Sequence, residues 1–168
     1  MRPIVNLLLL PLVTSPAVAA DVPAPLTGAG TFSFVAAGSG TINKMQLGED
    51  RAQVSYESLG GATSPTGEGP FHNVSIRCVG GFHLRNGSFD DDSGSCVVTR
   101  PDGDQVFYVY RAAGTPHVGV KGTFTLVGGT GKMKGITGGG DLTRLTLHHA
   151  KEGTAQNVTR GAGTFKLP

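Results

Sequence analysis

No long stretch of this 168-residue chain repeats its apolar residues at the 3.6-residue spacing of a helix. Short β-rich runs follow one another instead, each cut off by glycine, and that pattern belongs to an all-β sandwich or barrel. Twenty-seven glycines supply the punctuation. Residues 31–37 read as the first strand, with Phe32 and Phe34 on one face. Residues 49–59 set Val54 and Tyr56 against Arg51, Gln53, Ser55 and Glu57, and 60–70 is a Gly/Ser/Thr/Pro loop. In 71–79, His72, Val74, Ile76 and Cys78 share a face. Residues 96–100 and 105–111 flank Pro101-Asp102-Gly103-Asp104, a strong hairpin signal. Residues 118–127 alternate well, Gly128-Gly129-Thr130-Gly131 turns, Gly138-Gly139-Gly140 introduces 141–148, and 157–166 is the last strand.

The first twenty residues read as a signal peptide rather than as part of the fold. Arg2 provides a positive start, 4–13 is mostly apolar apart from Asn6 and Pro11, and Ala17-Val18-Ala19-Ala20 fits the small-residue cleavage rule. The apolar run is far short of the roughly 20 residues that span a bilayer, and no cysteine follows it to carry a lipid. Residues 21–168 are then one β-barrel domain, exported to a periplasm or secreted, with 21–26 as an extended leader. The formal charge of +2 falls to +1 with Arg2 removed, and only Lys132-Met133-Lys134 is a local basic spot. Nucleic acid and anionic membrane surfaces need a contiguous basic face and are poor partners.

Cys78 and Cys96 form a disulfide in an oxidising compartment, worth roughly 3 kcal/mol in the loop-entropy treatment. Their spacing suits no zinc site. A bridge needs Cα atoms within about 7 Å, so a plain meander with a strand at 82–89 would keep the two apart. On that reasoning 80–95 is an excursion, and a strand ending at Cys78 pairs with one beginning at Cys96. Gly28-Ala29-Gly30-Thr31-Phe32 recurs as Gly161-Ala162-Gly163-Thr164-Phe165, which either places the first strand beside the last in a closed barrel or is chance in a glycine-rich chain.

The segment Gly122-Thr123-Phe124-Thr125-Leu126-Val127-Gly128-Gly129-Thr130-Gly131-Lys132, continuing to Gly135-Ile136-Thr137-Gly138, resembles a recurrent stretch of small exported bacterial β-proteins of unknown function. Arg100-Pro101-Asp102-Gly103-Asp104-Gln105-Val106-Phe107 after Cys96 is similar to a second stretch of that group. The Gly-Gly-Thr-Gly-Lys turn after a Gly-Thr-Phe strand resembles, more distantly, allene oxide cyclases and dirigent proteins. That resemblance implies an antiparallel eight-stranded β-barrel whose mouth holds a hydrophobic small molecule; a β-sandwich is the alternative. The acidic and tyrosine active-site residues of those families have no matching motif here, so activity does not carry over with the fold.

Gly129-Thr130-Gly131-Lys132 fails as a phosphate loop, because Leu126 replaces its first glycine and Met133 its Ser/Thr. Asp90-Asp91-Asp92-Ser93-Gly94 reads as an exposed acidic turn, with Asp90 and Asp92 weak calcium candidates; no EF-hand spacing is present. No HExxH or G-x-S-x-G occurs, and the adjacent His148 and His149 would point to opposite faces of a strand. Tyr56, His72, Tyr108 and Tyr110 are the candidate ligand-pocket residues. Tyr108 and Tyr110 share a strand face opposite Phe107 and Val109, and both faces are apolar. The leading expectation is a non-catalytic barrel binding a small apolar molecule without a cofactor. A cyclase- or isomerase-like enzyme would need Glu57, His72 or Tyr108 aimed into a roomy pocket. A structural or envelope-interaction protein would have no cavity.

Overall fold

The computed structural model describes residues 26–168 apart from His149, so the expected signal peptide lies outside the described residues. Eight strands run in sequence order: β1 (Ala29–Gln46), β2 (Arg51–Thr63), β3 (Val74–Arg85), β4 (Phe89–Thr99), β5 (Gln105–Thr115), β6 (Gly119–Gly129), β7 (Thr137–Leu147) and β8 (Thr154–Lys166). Each pairs antiparallel with the next, and β1 pairs with β8, closing the barrel. Closure removes every sheet edge and excludes the two-sheet sandwich.

The glycine echo is that closure seen in sequence. Along the β1–β8 seam Phe32 faces Gly163, Phe34 faces Gly161, and Gly30 faces Phe165. A methyl on Gly161 would strike the Phe34 ring and one on Gly30 would crowd the Phe165 ring, while one on Gly163 would strike the β7 backbone at Gly139. Two antiparallel copies of a Gly-x-Phe pattern therefore supply alternate rings and gaps.

Period-2 alternation fixes the inside. On β6, Val120, Phe124 and Leu126 are buried while Lys121, Thr123 and Thr125 are exposed. One end of the barrel is plugged by stacked rings. Phe71 lies 4.6 Å from Phe34 and 5.2 Å from Phe32 between centroids, and Phe124, Met133, Ile136 and Leu167 are buried in the same cluster. Such stacked pairs add about 0.5–1.5 kcal/mol each beyond the area they bury. Toward the other end the interior positions of β1 become Gly38, Gly40, Ile42 and Lys44, which cannot fill the lumen.

Several expectations need correction. The first strand extends beyond residue 37 to Gln46, because a strand half that lines open space shows no core pattern. β2 runs on to Thr63, and Gly138-Gly139-Gly140 lies inside β7 rather than before it. There the backbones of β6 and β8 come so close that side chains would strike them.

The proposed excursion at 80–95 does not exist. β3 continues to Arg85, turns through Asn86-Gly87, and returns as β4, so Cys78 and Cys96 are directly opposed in a regular hairpin. Their Cα atoms are 4.1 Å apart and the disulfide is formed. Asn86 (φ 49°) and Gly87 (φ 78°) are both left-handed, as a two-residue type I′ turn requires. The acidic run 90–92 is not an exposed turn but part of β4.

Candidate functional site

The unplugged end opens into a cavity of about 280 Å³. Its aromatic wall is Phe82 on β3 and Phe89 on β4, with ring centroids 4.4 Å apart, and Val54, Ile42 and Leu142 continue the apolar lining. The facing wall, from β1 and β8, is lower and partly polar: Gly40, Ala155, Asn157 and Thr159. Small residues on these strands, opposite rings on β3 and β4, create the space.

A polar layer lies beneath it. Asp92 is fully buried and is bonded by the Arg144 guanidinium on β7 through Oδ2. The Tyr56 hydroxyl donates to Asp92 Oδ1 at 2.7 Å and touches the Tyr110 hydroxyl. Tyr56 has one proton, and Asp92 receives it. Tyr110 must then donate to Tyr56, giving a directed chain from Tyr110 through Tyr56 to Asp92. Tyr108 lies one layer deeper, with its hydroxyl 3.6 Å from Cys78 Sγ.

A β-bulge puts Asp92 inside. The β4–β5 register shifts between Phe89 and Asp92, so both residues point inward although an odd number of positions separates them. In regular alternation from Phe89, Asp92 would face solvent on the same side as Asp90; bulges commonly re-aim a side chain in this way. Leaving Arg144 buried without Asp92 would cost about 3–5 kcal/mol, the usual penalty for breaking a buried pair.

The environment holds all three phenols neutral. Burial raises the Tyr56 pKa far above its usual 10, and Tyr110 and Asp92 raise it further. Burial likewise lifts Tyr108, against a smaller opposing effect of Arg144. For Tyr110, burial and then Asp92 outweigh the lowering by Tyr56 and Arg144. Burial disfavours the Arg144 charge, but Asp92 and the two phenols more than compensate, and its pKa rises. The floor is therefore a neutral assembly: one ion pair and uncharged hydroxyls.

Of the four expected pocket residues, the structure brings Tyr56, Tyr108 and Tyr110 to one cavity and leaves His72 out of it. His72 precedes β3 near the plugged end, where its Nδ1 accepts the Ser64 N–H at 3.3 Å. Asn73, at φ 51°, breaks the alternation, so Phe71 rather than His72 fills the interior. Glu57 points outward, where Arg77 Nε donates to it at 2.6 Å. Tyr108 and Tyr110 face in, while Phe107 and Val109 face out. Arg144 and buried Asp92 were missed. The outward Leu145 of β7 makes the wrong face look like core, and the bulge hides the direction of Asp92.

No family model matches the chain. One curated protein, the hydroxyethylthiazole kinase of Clostridioides difficile (strain 630), is 38% identical over a 104-residue alignment that covers 56% of this chain and 40% of that protein. The chain thus spans about two-fifths of that enzyme's length. Among solved structures the barrel is similar to a pterocarpan synthase dirigent protein, with 12% identity, 93% of this chain and 99% of that one covered, and a TM-score of 0.46. Strand order and closure stand on this chain's own pairing rather than on that likeness.

Gly131–Met133 forms a single 3-10 turn, not a phosphate cradle. The Lys132 backbone N–H donates to Asp104 at 2.9 Å, and Lys132 Nζ pairs with Asp102 at 3.0 Å. Carboxylates thus occupy the donors a phosphate would use. The calcium candidates are likewise separated. Asp90 lies on the outer face 3.6 Å from Arg85, and Asp91 bonds His83 at 2.7 Å, while Asp92 is enclosed by Tyr56 and Arg144. Among the described residues no group of three or more His, Cys, Asp or Glu converges, and no helix is long and apolar enough to cross a membrane.

Proposed function

We propose that this chain is an exported binding protein that holds one small, largely apolar molecule in the open end of its barrel. The observation that carries the reading is the 280 Å³ cavity, with aromatic and aliphatic walls above a neutral, hydrogen-bonded floor. Apolar walls with a few fixed polar groups are how small-molecule sites combine affinity with orientation. Export is supported by the disulfide, which persists in oxidising compartments, and by the charged, apolar and small-residue order of residues 1–20. Catalysis is not part of the proposal. The one carboxylate in the floor is fully buried and engaged by Tyr56 and Arg144, and Glu57 points outside.

Titration with N-phenyl-1-naphthylamine, an uncharged probe that brightens in apolar surroundings, tests this directly. The wild-type chain should give saturable enhancement at one probe per chain. Thr159→Phe, which places a ring in the cavity from the low wall, should abolish it while leaving the far-ultraviolet circular dichroism unchanged. Absence of saturable binding, or equal binding by the folded variant, would contradict the proposal.

A further inference from the structure

The hydrogen-bond directions in the floor define what kind of polar group a ligand must carry. Tyr110 donates to Tyr56, Tyr56 donates to Asp92 Oδ1, and Arg144 donates to Asp92 Oδ2. Asp92 is wholly enclosed and offers the cavity nothing. Arg144 is different: its side chain retains 16% of its surface and lines the cavity, and beyond the Asp92 bond its N–H groups also reach the Tyr110 hydroxyl. An arginine carries five such donors in a planar fork, and one carboxylate does not use them all. The floor therefore presents donors and asks for an acceptor.

Charge narrows the class further. Asp92 already neutralises Arg144, so a ligand carboxylate would bring a second anion to one largely buried guanidinium. Both the desolvation of that anion and its repulsion by Asp92 oppose it. The other cationic group lining the cavity, Lys44, is exposed at the rim, where water screens its charge. His117 at the rim is also exposed, with its Nδ1 donating to the Thr146 carbonyl at 2.9 Å.

We propose that Arg144 binds a neutral acceptor oxygen, a ketone, ester or ether, on an otherwise apolar ligand, and that Asp92 sets this specificity by rejecting carboxylates. The inference rests on the cavity being a binding site, as proposed above. Asp92 is a positioning residue: it touches Arg144 and Tyr56, not the ligand.

Two probes of one skeleton, 2-acetylnaphthalene and 2-naphthoate, separate the possibilities, with binding followed by ligand-observed nuclear magnetic resonance at neutral pH. The wild-type chain should bind the ketone at least about tenfold more tightly than the carboxylate, the scale of about 1.4 kcal/mol. Asp92→Asn leaves Arg144 uncompensated and should reverse the order. Should that variant fail to fold, Asp92→Asn combined with Arg144→Gln removes both charges and should bring the two affinities within about twofold of each other, a difference well under 1 kcal/mol. Equal or stronger binding of naphthoate by the wild-type chain overturns the specificity proposal while leaving the cavity reading intact. So does an unchanged ketone preference in a folded Asp92→Asn chain. Failure of the wild-type chain to bind either probe overturns both.

Discussion

All three tyrosines of the chain line one cavity, so their common titration reads the interior alone. Each has its pKa raised chiefly by burial, with Asp92 adding to the rise at Tyr56 and Tyr110. The native state therefore keeps phenolic protons that the unfolded chain gives up near pH 10. Stability from these groups is complete below pH 10 and is lost as pH rises above it, because the unfolded state binds fewer protons there. The tyrosinate absorbance near 295 nm should accordingly stay flat through pH 10 and rise only together with loss of the β-sheet circular dichroism. A smooth rise near pH 10 in a chain that is still folded would place the phenols in water. Sequence alternation grouped Tyr108 with Tyr110 but could not say which face was inside, since Phe107 and Val109 are as apolar. The pairing of β5 with β4 and β6 decides it.

At the scale of the element, the β3–β4 hairpin shows why spacing misled where turn chemistry was informative. A strand that stops at residue 79 leaves Cys78 and Cys96 at opposite ends of consecutive strands, whereas β3 runs on to Arg85 and brings them level. Asn86-Gly87 is the strongest two-residue hairpin signal in the chain, and its turn begins eight residues beyond Cys78. Gly87 is at φ 78° with open space around it, so Gly87→Ala meets no clash and suffers only the left-handed backbone penalty. The substitution should destabilise the protein by about 1–2 kcal/mol, measured as a lower urea midpoint at unchanged slope. An unaltered midpoint would mean that the hairpin tip does not hold this turn. The bulge between Phe89 and Asp92 had no comparable signal. A one-residue insertion in an Asp-Asp-Asp run leaves the composition of either face unchanged, and only pairing with β5 reveals it.

For the whole molecule, closure was legible because it repeats a local pattern. Phe34 on β1 needs Gly161 on β8, Phe165 needs Gly30, and Phe32 pairs with Gly163, so the two ends of the chain carry matching Gly-x-Phe segments. The cavity was not legible. An interior left open is made of positions where nothing large occurs, such as Gly40, Ala155 and Thr159, and in sequence these resemble loop or surface residues. The plugged end follows from its phenylalanines, whereas the open end follows from what β1 and β8 omit. The central claim is that this open end is occupied in life. Native mass spectrometry of the protein purified from its own source without denaturation tests it most directly. One small uncharged molecule per chain, lost on unfolding, is the expected result, whereas the mass of the disulfide-bonded chain alone, both before and after unfolding, would contradict an occupied cavity.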